Sequence, residues 1–259
     1  MIDRRTFLAG VAAALFGGTL SPSQTAGLND ILDEWDARKL TDVRWLAYML
    51  ATDYWETDRA VLGVREAYYM GEPAAENYRR TLRYYPFYGR SPPQLTWEFN
   101  YLTMTVHLAP RFPGLDLVKN PDDALRPDVG MAILFEGMIF GLFTGVSLGT
   151  YFNATTDNPL DARRIINGTD HEADVADLHH GFLAALQGQP YYRLLKIGCN
   201  GDDVKLMQSA LQAHGFYSNL IADGVYGAGT RMAVMGFQLS KGLDNDGAVG
   251  PDTRKALGL

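Results

Sequence analysis

Two twelve-residue stretches near the end of this chain are copies of one pattern. Asp223-Gly224-Val225-Tyr226-Gly227-Ala228-Gly229-Thr230-Arg231-Met232-Ala233-Val234 and Asp246-Gly247-Ala248-Val249-Gly250-Pro251-Asp252-Thr253-Arg254-Lys255-Ala256-Leu257 share D-G-x-x-G-x-x-T-R-x-A followed by an apolar residue. Each Asp-Gly supplies a turn with a permissive backbone, and Pro251 suits the first turn of a helix. Ahead of them Val204, Met207, Leu211 and His214 keep the three-to-four spacing of an amphipathic helix that stops at Gly215. The repeat therefore predicts helix, turn, helix, turn, helix.

Charge separates this segment from the rest. Residues 191-259 hold seven basic and six acidic groups and residues 1-26 hold Asp3, Arg4 and Arg5, so residues 27-190 carry −9 within a net charge of −7. At 259 residues the chain exceeds one typical domain of about 100–200. We expect a leader over 1-26, a larger unit over 27-190 and a small unit over 191-259. A composition 47% hydrophobic and 20% charged excludes disorder, collagen and coiled coil. The acidic balance argues against a nucleic-acid partner, which would need phosphates neutralised. Cys199 is the single cysteine, which excludes an intramolecular disulfide and a zinc site built from several thiolates.

The leader opens with Arg4-Arg5-Thr6-Phe7-Leu8 and continues without charge through Val11 to Leu20. A short basic start followed by an apolar stretch predicts export, and the paired arginines with Phe-Leu resemble the twin-arginine signal read by a receptor for folded cargo. The competing reading is a buried N-terminal helix. An exported, periplasmic or wall-associated location is expected, and no stable membrane span beyond the signal.

The repeat segment carries a resemblance. Gly201-Asp202-Asp203-Val204, Leu211-Gln212-Ala213-His214-Gly215-Phe216-Tyr217, Phe237-Gln238 and Asp246-Gly247-Ala248-Val249-Gly250-Pro251 resemble the three-helix peptidoglycan-binding domain attached to many cell-wall hydrolases. The resemblance implies a small non-catalytic module that docks on bacterial cell wall. The matching positions are mostly turn glycines and core residues, so no wall-contacting residue is assigned.

In the larger unit, Asp42 to Asp58 reads as a helix, with Trp45, Met49, Thr52 and Glu56 on a stripe flanked by Leu46, Leu50 and Tyr54. A carboxyl extending an apolar face loses hydration, which raises its pKa as a general acid requires. Glu66 follows ten residues later, across a predicted loop. Two carboxylates in different environments are the minimum equipment for glycoside hydrolysis, one protonating the leaving oxygen and the other activating water. Tyr84-Tyr85-Pro86-Phe87-Tyr88 and Gln94-Leu95-Thr96-Trp97-Glu98-Phe99-Asn100-Tyr101 alternate polar and aromatic groups in a way that suits a sugar cleft.

These segments, with Ala47 to Tyr54, Glu56-Thr57, Val64-Arg65-Glu66-Ala67-Tyr68, Phe143-Thr144-Gly145 and Arg163-Arg164-Ile165-Ile166-Asn167-Gly168, resemble glycoside hydrolase family 19, its chitinase and phage-endolysin members. The resemblance implies a mainly helical, lysozyme-like α+β catalytic domain. It implies Glu56 as general acid, Glu66 as the base that activates water, Thr96 orienting that water, and Gln94, Asn100 and Asn167 binding sugar. It implies inversion at the anomeric carbon and no metal or other cofactor. Two departures stand out: Trp55 replaces the usual His before the acid, and Ser91-Pro92-Pro93 replaces a glycine followed by two apolar residues.

The expected substrate is peptidoglycan, with a chitin-like glycan as the alternative and a non-catalytic wall-binding protein as the competing class. A monomer is expected. The nearly uncharged run from Val129 to Phe152 reads as a buried core helix, since Glu136 inside it would be costly in lipid. His171, His179 and His180 match no metal spacing and read as a polar helix face. Cys199 reads as a bystander thiol. Tyr68, Tyr69 and Met70 either line the cleft or fill the core.

Overall fold

A computed structural model describes residues 2–217 and 221–259. The fold is mainly helical, and the only strand-like features among the described residues are isolated bridges such as Arg90 with Leu95 and Leu195 with Val249. The β part of the expected α+β domain is not formed as strands among the described residues; only these bridges occur. The chain divides into two compact units, residues 1–191 and 192–259.

The first unit contains α1 (Arg4–Leu15), α2 (Pro22–Arg38), α3 (Val43–Glu56), α4 (Ala74–Arg79), α5 (Glu98–Leu108), α6 (Pro127–Phe140), α7 (Leu148–Tyr151) and α8 (Glu172–Leu186). The predicted helix at 42–58 is α3, with Asp42 as its N-cap and Thr57 as its C-cap. Instead of one apolar stripe, every residue from Leu46 to Tyr54 is buried, because α3 packs on α8 and is also flanked by α2 and α6.

The N-terminal segment differs from a detached leader. Its residues fold as α1, packed on α8 with Phe7 and Val11 fully buried. Small side chains permit the approach: Gly10 lies against Ala185 and Gly181 against Leu15. Arg4 pairs with Asp33 (2.6 Å) and Asp36 (2.8 Å) of α2. The expected boundary between 26 and 27 falls inside α2, which Ser21 and Gln24 open with a capping box around Pro22.

The apolar run from Val129 to Phe152 is two helices. α6 ends at Gly141, whose φ of 68° is the left-handed conformation that stops a helix, and α7 follows after a turn. Glu136 is held by Arg38 and by His107 (2.8 Å). No helix among the described residues is long and apolar enough to cross a membrane.

The histidine cluster needs one correction. His179 is not on a polar face: it is buried against Phe152 (5.2 Å between rings) and Tyr48 (5.7 Å), and burial pushes its pKa down to about 3. α8 packs on α3 at this point, so apolar neighbours set its environment. His171 and His180 are exposed as expected, and no cluster of metal-ligating side chains occurs among the described residues. Cys199 is a free, half-buried thiol.

The second unit holds α9 (Asp202–Ala213), α10 (Ala228–Lys241) and α11 (Pro251–Leu257), the expected three helices. Its core is Val204, Met207, Leu211, Val234, Phe237 and their neighbours. The repeat is built around two glutamines. Gln208 Nε2 donates to Asp223 Oδ1 (3.0 Å), Val225 O (3.1 Å) and Thr230 Oγ1 (3.2 Å), while its Oε1 accepts from Gly224 N (2.8 Å). Gln238 does the same with Asp246 Oδ1 (2.9 Å), Ala248 O (2.8 Å), Thr253 Oγ1 (3.2 Å) and Gly247 N (2.9 Å).

Candidate active site

Glu56 is the last residue of α3, at the edge of the core. Thr57 stops the helix: its hydroxyl donates to Asp53 O (2.6 Å) and accepts from Val61 N (2.9 Å), turning the chain into a loop. The Glu56 side chain is 17% exposed, and Arg163 Nη1 donates to its Oε1 at 2.6 Å. Burial raises the Glu56 pKa above the ordinary carboxylate range, and the Arg163 charge and hydrogen bond only partly offset it. Arg163 is itself 5% exposed and is braced by Nε donation to Asp170 O (2.9 Å).

Glu66 is set by the loop opposite. Its backbone N donates to Gly89 O (2.7 Å), and the Gly89 N–H donates back to Glu66 Oε2 (2.9 Å). A side chain at Gly89 would place Cβ 2.3 Å from Gln94 Oε1 and 3.3 Å from Glu66 Oε2, so any larger residue here would push the Gln94 amide aside. Tyr84 donates its hydroxyl to Glu66 Oε1 (3.0 Å). Burial and the Glu66 carboxylate push the Tyr84 hydroxyl up to about 12.

All six residues expected from the sequence, Glu56, Glu66, Gln94, Thr96, Asn100 and Asn167, line one cavity of about 630 Å³. Trp55, Tyr68, Tyr69, Tyr78, Tyr84 and Trp97 line it too. Tyr68 and Tyr69 are exposed and therefore belong to the cleft rather than to the core, while Met70 is exposed outside its lining. Such a cavity, aromatic with a few convergent polar groups, is the ordinary form of a small-molecule or glycan site.

The polar lining is partly committed to the scaffold. Gln94 Nε2 donates to Val64 O (3.1 Å) and Ser91 O (3.3 Å), bracing the loop that carries Glu66. Asn100 Nδ2 donates to Thr96 O (2.9 Å), and Asn167 Oδ1 accepts from Gly168 N (2.9 Å). Ser91-Pro92-Pro93 form a buried turn closed by Gln94 N to Ser91 O (3.1 Å). Trp55 packs on His171, with ring centroids 4.8 Å apart.

Sequence reasoning left two residues of the site without a role. Arg163 reaches Glu56 across 107 positions, and Tyr84 reaches Glu66 across 18. Neither separation has a periodicity that could signal it.

Comparison with known proteins covers part of the chain. Residues 200–257 match a family model described as a putative peptidoglycan binding domain. Among curated proteins the chain is similar to a spore cortex-lytic enzyme of Bacillus subtilis, 46% identical over 66 residues, 25% of this chain and 21% of that protein. It is also similar to the N-acetylmuramoyl-L-alanine amidase CwlM of Mycobacterium tuberculosis, 35% identical over 94 residues, 36% of this chain and 20% of that protein. A probable N-acetylmuramoyl-L-alanine amidase of Bacillus licheniformis is 45% identical over 65 residues, 25% of this chain and 18% of that protein. The chain thus spans about a fifth of the length of the curated relatives it matches. No solved structure matches.

Proposed function

We propose that the first unit is an inverting glycoside hydrolase that cleaves β-1,4 bonds in the glycan of peptidoglycan, and that residues 192–259 hold it on the wall. The observation that carries this reading is a desolvated carboxyl, Glu56, and a second carboxylate, Glu66, on the wall of one aromatic cavity. The family match over 200–257 and the wall-lytic names of the relatives support peptidoglycan over chitin. The twin-arginine-like start agrees with export to the periplasm or wall.

Glu56 enters the reaction protonated, because burial holds its proton to higher pH than an exposed carboxyl would. Its Oε1 accepts from Arg163, which leaves the other oxygen to carry the acidic proton. That proton passes to the glycosidic oxygen as the C1–O bond breaks. Glu66 takes a proton from a water whose oxygen attacks C1 from the opposite face, inverting the anomeric centre. Thr96 orients that water, while Gln94, Asn100 and Asn167 border the sugar and the aromatic rings stack on it. Gln94 acts mainly through the loop it braces.

The test is mass spectrometry of the soluble products released from bacterial sacculi by the full chain, with Glu56→Gln in parallel. Disaccharide muropeptides with a reducing N-acetylmuramic acid are expected from the wild type. A fall of about a thousandfold or more is expected in the variant, which still pellets with the wall. Equal release by both proteins would remove Glu56 as the acid. Release of stem peptides without new sugar ends would replace the glycosidase reading with an amidase one.

A further inference from the structure

We propose that Tyr84 is a positioning residue for Glu66 and that Trp97 holds it in place; this rests on the glycosidase reading above. The Tyr84 hydroxyl donates to Glu66 Oε1 at 3.0 Å, and the Gly89 N–H donates to Oε2 at 2.9 Å. Each oxygen of the carboxylate therefore has one fixed donor, and its remaining lone pairs define where a water can deliver a proton. The Tyr84 ring lies 5.1 Å from the ring of Trp97, tilted by 51°. The Arg83 guanidinium lies over the Trp97 ring, 4.9 Å from its centroid.

Trp97 is unusual in its own right. It holds φ 70° and ψ 136°, a conformation rare for a bulky side chain, and it is 41% exposed on the cleft. Its backbone N–H donates to Phe87 O (2.9 Å), and its carbonyl accepts from Asn100 N (3.0 Å) and Tyr101 N (3.2 Å). The strained backbone is thus held by the start of α5 and by the segment after Tyr84. That arrangement turns the indole onto Tyr84, and the phenol reaches the carboxylate.

The proposal makes Glu66 dependent on a hydroxyl supplied from the aromatic wall. Other charged groups near it are the guanidinium of Arg79, whose Nη1 donates to Glu66 O (3.2 Å), the adjacent Arg65, and Glu56 on the same cavity. Arg83 and Tyr78 face Tyr84 itself. None of these donates to the Glu66 carboxylate oxygens, so removing the Tyr84 hydroxyl leaves Oε1 without its donor. Without that donor the carboxylate is free to turn away from the place where it must meet the water.

Tyr84→Phe keeps the ring against Trp97 and removes only the hydroxyl. With the full chain on sacculi, new reducing ends give kcat and KM. We expect kcat to fall roughly tenfold, as for one hydrogen bond to a charged group, with KM nearly unchanged. Tyr85→Phe is the control, since its exposed hydroxyl donates to Glu76 (3.2 Å) outside the cleft, and it should match the wild type. A Tyr84→Phe enzyme with unaltered kcat, beside an active wild type, would overturn this inference alone. A rise in KM with kcat unchanged would also overturn it, because it would make Tyr84 a sugar contact only. A wild type that releases no sugar ends would overturn both this inference and the reading it rests on.

Discussion

The interior of the second unit and the ground beneath Glu56 handle buried polar groups in opposite ways. In the second unit the side chains of Gln208 and Gln238 are each saturated by an aspartate, a backbone carbonyl, a threonine and a glycine N–H. In the first unit Tyr48 Oη, Thr52 Oγ1, both carboxyl oxygens of Asp53 and His179 Nδ1 are buried without a hydrogen-bond partner. Four of these five atoms belong to α3, the helix that ends in Glu56. A saturated network specifies a rigid scaffold, whereas orphaned polar groups cost stability and persist where the surrounding fold over-determines them. The module reads as a self-contained scaffold, and α3 as a helix held under polar strain next to the proposed chemistry.

The largest break in this comparison is expected from Gln208→Leu. It strands the Gly224 N–H and the side chains gathered around the amide, and it should destabilise the second unit by about 3 kcal/mol or more. Hydrogen exchange of α9 in a denaturant series reads this directly. A cost below about 1 kcal/mol would mean that the network is not what holds the repeat together.

Asp53→Asn should have a smaller effect, and one that depends on pH. Burial pushes the Asp53 carboxyl up to about 8, and the neighbouring Thr57 hydroxyl donates to the backbone oxygen of Asp53. The folded state therefore favours the protonated carboxyl. That preference is fully satisfied below an unfolded pKa near about 4 and is progressively lost as pH rises toward about 8. Urea unfolding at pH 5 and at pH 8.5 should show the wild type losing on the order of 2 kcal/mol or more that the variant keeps. Parallel losses would show that the carboxyl is ionised and paired in the folded state.

Tyr48→Phe sharpens the comparison with the smallest effect. Deleting an orphaned hydroxyl should be neutral or stabilising within about 1 kcal/mol. A loss of more than that in thermal unfolding would give the hydroxyl a partner.

Much of the site was legible because its carriers are local. The spacing of Trp45, Met49, Thr52 and Glu56 predicts a helix over 42–58, and α3 forms over Val43–Glu56 with Glu56 at its end. The repeat announced its own turns. What was not legible are the contacts that cross the chain. The Arg163 and Tyr84 contacts depend on how loops return over α3, and Gln208 and Gln238 lie on the helices before the repeated motif rather than in it. His179 was misread because Glu172, Asp174, Asp177 and the adjacent His180 suggest an outer face, whereas its side is decided by α3 packing on α8. The packing of the N-terminal segment was not legible either, because it depends on Gly10 meeting the small Ala185 of α8.

The left-handed turn at Gly141 also has a consequence for length. α6 carries fourteen residues of the most apolar stretch in the chain, which at about 1.5 Å each rise roughly 21 Å, against about 30 Å of hydrocarbon in a bilayer. Had the helix run on through Phe152, it would have reached about 39 Å and could have bridged that thickness. One residue with φ of 68° therefore keeps α6 shorter than that thickness.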